Sequence, residues 1–237
     1  MSSLIHRTSL SKTVDAVNEA FFFEKTIPAT DRREVARWIA ARHALPGAYG
    51  KLFAGFPSER ESGIRVFTGE RIASASARHI LGEESCRVLL LLASRDPKTD
   101  DVLAQATTWM INRVSQAGLD SPSRNDAGNY CCGKCTVGLW RNVIAGGLDR
   151  RSERLSLGLT TLHARRDGEG GWKAFPFWYT VLALTDMDHP RARTELAYAA
   201  DRISAEASRS RGTSPYSYRR QAVARRAVEA LNTHGLK

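Results

Sequence analysis

The feature that most constrains the fold is a recurring segment of low charge, long enough for a short helix. Four such segments begin about every 42 to 54 residues from residue 79 onward, and a more polar stretch precedes each of them. This spacing is typical of stacked helical hairpins, in which a polar outer helix is followed by an inner helix that packs on its neighbours. The four segments are HILGEESCRVLLLL (79–92), CGKCTVGLWRNVIAGG (132–147), FPFWYTVLAL (175–184) and RRQAVARRAVEAL (219–231).

The polar stretches carry apolar residues at helical spacing, as at Val35, Trp38 and Ile39, and no alternating strand pattern longer than a few residues is present. We therefore predict an all-α fold of repeated helical hairpins, arranged as a partial α/α toroid or a short α-solenoid. We expect residues 1–30 to form an N-terminal segment and residues 31–237 to form a single helical-hairpin repeat domain.

One part of the sequence resembles a known repeat. LGLTTLHARRDGEGGWKAFPFWYTVLALTDMDHPRA passes through a helix, a glycine-rich turn with Trp172 and a second helix whose first turn accepts Pro176. This resembles the Gly-Gly-Trp repeat of the squalene-cyclase and protein-prenyltransferase superfamily, and the clear match covers residues 155–200. The resemblance implies an α/α toroid in which Trp172 braces neighbouring helices. Complete members have six hairpins, whereas this chain has room for four or five, so we expect a ring that is truncated, open or completed in a homo-oligomer.

The catalytic motifs of that superfamily are incomplete in this chain. Its cyclases use an Asp-x-Asp-Asp acid, whereas the DMDH run at 186–189 lacks the final Asp and falls at a predicted helix end. Its protein prenyltransferases bind zinc through an Asp-x-Cys pair and a distant His, whereas Gly133 and Lys134 precede Cys135 here. The resemblance therefore supports the fold more strongly than an activity.

Three of the four cysteines lie together at the start of the second inner segment, in GNYCCGKCTVGLW. Cys132 and Cys135 are three residues apart near a predicted helix start, and Cys131 precedes Cys135 by four residues. If the first two inner helices are adjacent, these thiols face a stripe of side chains on one face of the first helix. The members of that stripe are His79, Glu83 and Cys86.

Such a cluster allows several chemistries, and the sequence leaves them open. Zinc takes Cys and His ligands in tetrahedral geometry, and the predicted ligands are Cys132, Cys135, Cys86 and His79. In a thiol enzyme, Cys132 and Cys135 are the catalytic candidates, with His79 as general base and Glu83 orienting it. In a CxxC dithiol oxidoreductase, Cys132 and Cys135 cycle through a disulfide. In the simplest interpretation, the cysteines are small residues packed at a helix start.

Aromatic side chains on the inner segments are the predicted ligand contacts, because their rings can stack on an apolar molecule. They are Trp140, Trp178 and Tyr179. We expect a protein that binds an apolar small molecule between its inner helices, with metal- or thiol-dependent catalysis at the Cys/His cluster as an extension. The alternative from another class is a non-enzymatic helical-repeat scaffold that binds protein or nucleic acid.

The net charge of +10 leaves nucleic acid open as a partner, but it does not favour it. Of the 35 basic residues 28 are Arg, spread along the chain with a local excess only from Arg191 onward, and no nucleic-acid motif accompanies them. The longest apolar run, 88–93, is too short to span a membrane. No secretory signal is recognisable at the amino terminus, so we expect a cytoplasmic protein.

Overall fold

The computed structural model describes residues 4–118, 128–209 and 212–232. These residues form eleven α-helices and one two-stranded antiparallel sheet, so the predicted all-α fold is confirmed. None of the helices in the described ranges combines the length and apolar character needed to cross a membrane. The elements are α1 (Leu10–Phe22), α2 (Ala29–Ala40), α3 (Pro57–Ser62), β1 (Ile64–Arg65), β2 (Arg71–Ile72), α4 (Ser76–Leu92), α5 (Pro97–Gln116), α6 (Gly133–Ile144), α7 (Arg151–Ala164), α8 (Phe177–Thr185), α9 (Pro190–Tyr198), α10 (Ala200–Ala207) and α11 (Pro215–Asn232).

The outer helices begin at caps that the sequence supplies. At α5, the Asp96 carboxylate accepts a hydrogen bond from the Thr99 N–H (3.2 Å), and Pro97 occupies the first turn, where no N–H is needed. At α9, Pro190 takes the same position. Because these helices begin at defined caps, the loops before them are only a few residues long. Helices joined by such short loops pack as antiparallel neighbours.

Five helices form an inner row in which each contacts the next, in the order α1, α4, α6, α8 and α11. They run in the same direction. Ser76 and Cys132 meet at the starts of α4 and α6, with 3.3 Å between Oγ and Sγ, whereas Arg141 and Asp186 meet near the ends of α6 and α8, with 3.3 Å between Nη1 and Oδ2. The outer helices α5, α7 and α9 follow the inner helices α4, α6 and α8 and run back beside them, whereas α10 precedes the inner helix α11 and packs on it.

The inner row closes into a ring, because α11 also meets α1. Arg219 of α11 donates hydrogen bonds to Asp15 (2.9 Å) and to Glu19, and Tyr218 stacks on Phe23 with 5.3 Å between ring centroids. The sequence pattern did not predict that the ring closes, because it contains no recognisable repeat before residue 79. The ring closes within one chain, so the second copy predicted to complete it is not needed for closure.

The first helix belongs to the same core as the rest of the chain. Leu10, Val14 and Val17 of α1 are buried in one continuous hydrophobic cluster with the inner helices. α1 thus supplies the fifth wall of the ring. The division into an N-terminal segment, 1–30, and a repeat domain, 31–237, stays a prediction.

The glycine-rich turn before α8 is held in place by the packing of Trp172. Trp172 is buried, stacks on Phe177 with 5.9 Å between centroids, and donates a hydrogen bond from Nε1 to the Glu195 carboxylate (2.8 Å). This contact joins the turn to the outer helix α9. Trp172 thus serves packing between hairpins.

Candidate metal centre

The first turn of α6 places three thiols side by side. Cys132 is the N-cap residue of α6, with extended backbone (φ −157°, ψ 166°), and the chain before it bends back over the helix start. The bend is fastened by Thr136, whose hydroxyl accepts a hydrogen bond from the Tyr130 N–H (2.9 Å) and donates to Asn129 Oδ1 (2.7 Å). Cys131 and Cys132 are thereby held above the next turn of the helix.

Gly133 allows this helix start to sit against the neighbouring hairpin. A Cβ atom at Gly133 would lie 2.4 Å from the carbonyl oxygen of Ala174 and 2.9 Å from the Phe175 ring. Any side chain there would push the α6 start away from the loop before α8. The glycine between the cysteines therefore serves close packing.

The sulfur of Cys135 contacts the sulfurs of Cys131 and Cys132. Cys135 Sγ lies 3.6 Å from Cys131 Sγ and 3.5 Å from Cys132 Sγ, and all the cysteines are free thiols. A ring nitrogen of His79 and the sulfurs of Cys131 and Cys135 all lie within 4.8 Å of one another. Two sulfurs bound to one tetrahedral zinc ion are about 3.8 Å apart, given Zn–S bonds of about 2.3 Å. The cluster thus matches a thiolate-rich metal site.

His79 presents a neutral imidazole to this cluster. Its ring stacks on Tyr49 with 3.5 Å between centroids, and its Nδ1 is buried without a hydrogen-bond partner among the described residues. Burial lowers the pKa of His79 to about 4, because the imidazolium form loses hydration. A neutral imidazole with a free lone pair is the form that binds a metal.

The thiols of Cys132 and Cys135 differ in acidity because their surroundings differ. Contact with the Cys135 thiol, the Ser76 hydroxyl, and the backbone N–H groups of Cys135 and Lys134 hold the pKa of Cys132 well below its ordinary value, against the effect of burial. The pKa of Cys135 is raised by its contact with Cys132, by burial and by Glu83. The thiol at the helix N-terminus is thus the more acidic of the two, since the helix dipole favours negative charge there.

Glu83 lies below the cluster, between α4 and α6. It is fully buried, and neither carboxyl oxygen has a hydrogen-bond partner in the described ranges. Gly138 makes room for it, since a Cβ atom there would lie 2.2 Å from Glu83 Oε2. Burial, and then the neighbouring Glu84, raise the pKa of Glu83 well above its ordinary value. Its carboxyl group lies outside the group of possible ligands formed by His79, Cys131 and Cys135.

Cys86 is the predicted ligand that the structure does not bring to the cluster. It is buried and is not part of the ligand group found among the described residues. The reason is the helix rise: residues seven apart share a face, but they are separated by about 10 Å along the axis, at about 1.5 Å per residue. Cys131 takes part instead, and the adjacent pair in Cys-Cys-x-x-Cys was the sequence signal for it.

The predicted ligand-binding aromatics fill space in the core. Trp140 and Tyr179 are almost fully buried; Trp140 stacks on Phe175 with 5.8 Å between centroids, and the Tyr179 hydroxyl donates to Glu84 (2.6 Å). Trp178 is half-buried and packs edge-on against its neighbour Phe177. The aromatics that surround the Cys/His cluster are others, which the sequence did not single out: Tyr49, Trp109 and Tyr130.

In comparisons with known proteins, no family model, no curated protein and no solved structure matches this chain.

Proposed function

We propose that the protein is a zinc-binding helical-repeat protein whose metal is held by Cys131, Cys132, Cys135 and His79. The observation that carries the proposal is the convergence of Cys131 Sγ, Cys135 Sγ and a ring nitrogen of His79 within 4.8 Å of one another, with Cys132 Sγ 3.5 Å from Cys135 Sγ. Cys132 contacts Cys135 but lies outside that group of three, and we infer that its sulfur becomes the fourth ligand when the metal binds. Thiolate and imidazole are the ligands of structural zinc sites.

The position of the site supports a clamping role. Three ligands lie at the start of α6 and the fourth lies on the first turns of α4, so one ion joins two inner helices at the same end of the ring. The Ser76 hydroxyl, 3.3 Å from Cys132 Sγ, is placed to hydrogen-bond a ligand sulfur from α4. A four-ligand site of this kind stabilises the apposed helix starts and leaves no open coordination position.

The ring of parallel inner helices supports the resemblance to the squalene-cyclase and protein-prenyltransferase superfamily as a proposal about the fold. Binding of an apolar ligand between the inner helices stays a prediction. The side chains of Trp140 and Tyr179, which were predicted to contact it, are buried in the core.

A second candidate function is dithiol exchange, and one observation favours it. Cys132 is the acidic thiol at the helix start, and Cys135, 3.5 Å away, is buried and hard to ionise. In such a pair the Cys132 thiolate attacks a substrate disulfide, and the Cys135 thiol then displaces the substrate sulfur. The enzyme is left with a disulfide and the substrate with two thiols, so two electrons and two protons are transferred.

Metal analysis of the purified full-length chain tests the proposal. We expect one zinc ion per wild-type chain, and cobalt substitution should give the absorption of tetrahedral thiolate coordination. Cys135→Ser should lose the metal, whereas Cys86→Ser, its matched control, should keep it. A wild-type chain that takes up no zinc, with Cys132 and Cys135 forming a reversible disulfide, would replace the zinc proposal by the dithiol function.

A further inference from the structure

A cavity of about 410 Å³ opens at the other end of the ring, where the inner helices α4, α6, α8 and α11 end. Its walls combine apolar side chains such as Leu91, Ile144 and Leu184 with charged groups from three helices and a connecting turn. The charged residues are Arg87, Arg193, Arg226, Asp186 and Asp188. The cavity therefore has more cationic than anionic side chains in its lining.

The three arginines are only loosely neutralised. Arg226 lies 3.4 Å from Asp186, Arg193 lies 3.7 Å from Asp188, and the Asp188 side chain is fully exposed to solvent. Charge-assisted hydrogen bonds between guanidinium and carboxylate groups are about 2.7–2.9 Å long. Among the described residues, no carboxylate contact of the cavity arginines reaches that range.

Arg87 is the clearest case, because its side chain is 13% exposed and yet poorly paired. In the part of the chain that the structure describes, it makes one hydrogen bond, to the Asn18 side chain, and its nearest carboxylate oxygens lie 3.9 Å (Asp186) and 4.0 Å (Glu84) away. Burial and the neighbouring Arg141 lower the pKa of Arg87 to about 10. Several of its N–H donors are thus left for the cavity.

Other buried arginines of the same protein are fully engaged. Arg141 holds Glu84 at 2.6 Å, and Arg219 holds Asp15 at 2.9 Å. Asp186 is shared among Arg87, Arg141 and Arg226, so one carboxylate serves three guanidinium groups. The ends of the inner helices add partial negative charge, but that field falls off within the last turn, whereas Arg87 lies five residues before the end of α4.

We propose that this cavity binds a small organic oxyanion, a carboxylate or a phosphate ester, with Arg87, Arg193 and Arg226 holding the anionic group. The planar guanidinium groups present paired N–H donors that match two oxygens of one anion. The apolar part of the lining accommodates a short hydrocarbon part of the same ligand. The site is independent of the proposed zinc centre, because it lies at the opposite end of the inner helices.

Calorimetric titration of the full-length protein with hexanoate, hexyl phosphate and inorganic phosphate tests the proposal. We expect one of the two hexyl compounds to bind with one-to-one stoichiometry, and the stronger of them identifies the class of anion. Arg226→Gln and Arg193→Gln should each weaken that binding roughly tenfold or more, as expected for the loss of one charge-assisted hydrogen bond.

The matched control is Arg225→Gln, which removes a neighbouring exposed arginine of α11 outside the cavity lining. It should bind as the wild type does. The proposal is overturned if the wild-type chain binds none of the three anions, or if Arg225→Gln weakens binding as much as Arg226→Gln. Cys135→Ser, which removes the proposed zinc site, should leave anion binding unchanged, so failure of one proposal is distinguishable from failure of the other.

Discussion

The two ends of the inner ring carry opposite chemistry. At the amino-terminal end, backbone N–H groups and the Cys135 thiol and Ser76 hydroxyl lower the pKa of Cys132, whereas at the carboxyl-terminal end Arg87 and Arg226 gather around Asp186. The inner helices run in the same direction, so their dipoles add: the amino ends favour negative charge and the carboxyl ends favour positive charge. This field acts on Cys132 at its helix start, whereas Arg87, five residues before the end of α4, is placed at the other end by its contacts with Asn18 and Asp186.

Between the two ends, adjacent glutamates on α4 meet opposite environments. Glu84 accepts hydrogen bonds from Arg141 (2.6 Å), Tyr179 (2.6 Å) and Asn18 (3.0 Å). Glu83 has no partner for either oxygen among the described residues. One carboxylate therefore joins four helices of the ring, whereas its neighbour destabilises the fold in its charged form. Such an unpaired buried group is retained at a site more often than in a plain core.

The largest effect is expected from Glu84→Ala, which removes the centre of the network that separates the two ends. Arg141 would be left buried without its closest partner, and breaking a buried ion pair in this way costs about 3–5 kcal/mol. Denaturant unfolding followed by circular dichroism measures the loss.

Two further variants sharpen that experiment. Glu153→Ala removes an exposed partner of Arg150 and should leave the unfolding midpoint almost unchanged. The double change Glu84→Met with Arg141→Met should recover much of the stability, because replacing both ions by apolar groups of similar size is often neutral. A double variant as unstable as Glu84→Ala would show that packing, not the unpaired charge, causes the loss.

The sequence predicted which segments from residue 79 onward form inner helices, but it did not predict that α1 is also an inner helix. The low charge of segments 79–92, 132–147 and 175–184 marks them as buried, since a helix covered by neighbours has no face for charged residues. The inner role of α1 escaped recognition because its charged residues Asp15 and Glu19 look solvent-exposed in sequence. Their partner, Arg219, lies two hundred residues away, and no local pattern reveals such a pair.

The candidate metal centre could be predicted only in part from the sequence. Helical spacing correctly joined His79 to the cysteines of α6, because residues at two helix starts come together when the helices are parallel neighbours. Helical spacing also placed Cys86 on that face, but spacing says nothing about the distance along the helix axis, which separates Cys86 from the cluster. Cys131 lies outside the helix, so its place depends on the bend at Asn129 and Tyr130 rather than on periodicity.

The second-largest effect is expected from removal of zinc at the amino-terminal end of the ring. Zinc that binds the folded chain stabilises it by mass action, by about 2.7 kcal/mol at a free zinc concentration about 100 times the dissociation constant. Unfolding curves in zinc buffer and in chelator should differ by an amount of this order for the wild type, and should coincide for Cys135→Ser. Equal curves for the wild type in both buffers would contradict the clamping role of the metal.

The third effect is a gain in stability from Glu83→Met. The pKa of Glu83 is raised in the folded protein, so the folded state retains a proton that the unfolded state loses near pH 4.3. Its contribution is fully present below that unfolded pKa and is lost as the pH rises through the folded pKa. At about pH 8 the methionine variant should be more stable by about 1–3 kcal/mol, the cost of an unsatisfied buried group.

Unfolding curves in chelator at about pH 5 and about pH 8 measure this effect without interference from zinc. As the pH rises from about 5 to about 8, Glu83→Met should lose less stability, or gain more, than the wild type, because the variant lacks the loss caused by Glu83. An equal change in both proteins would mean that Glu83 keeps its ordinary pKa in the fold.

The smallest effect separates Cys86 from the three clustered cysteines. Cys86 is fully buried on α4 and burial raises its thiol pKa, so it behaves as a small apolar core residue. Cys86→Ala should cost about 1 kcal/mol in the free energy of unfolding, a common value for a modest core truncation, and should keep one zinc ion per chain. Cys131→Ala, on the exposed side of the cluster, should have the reverse effect, with metal lost and little change in the stability of the zinc-free protein. If Cys86→Ala loses zinc while Cys131→Ala keeps it, the ligand set predicted from helical spacing is restored and the one proposed from the sulfur distances is wrong.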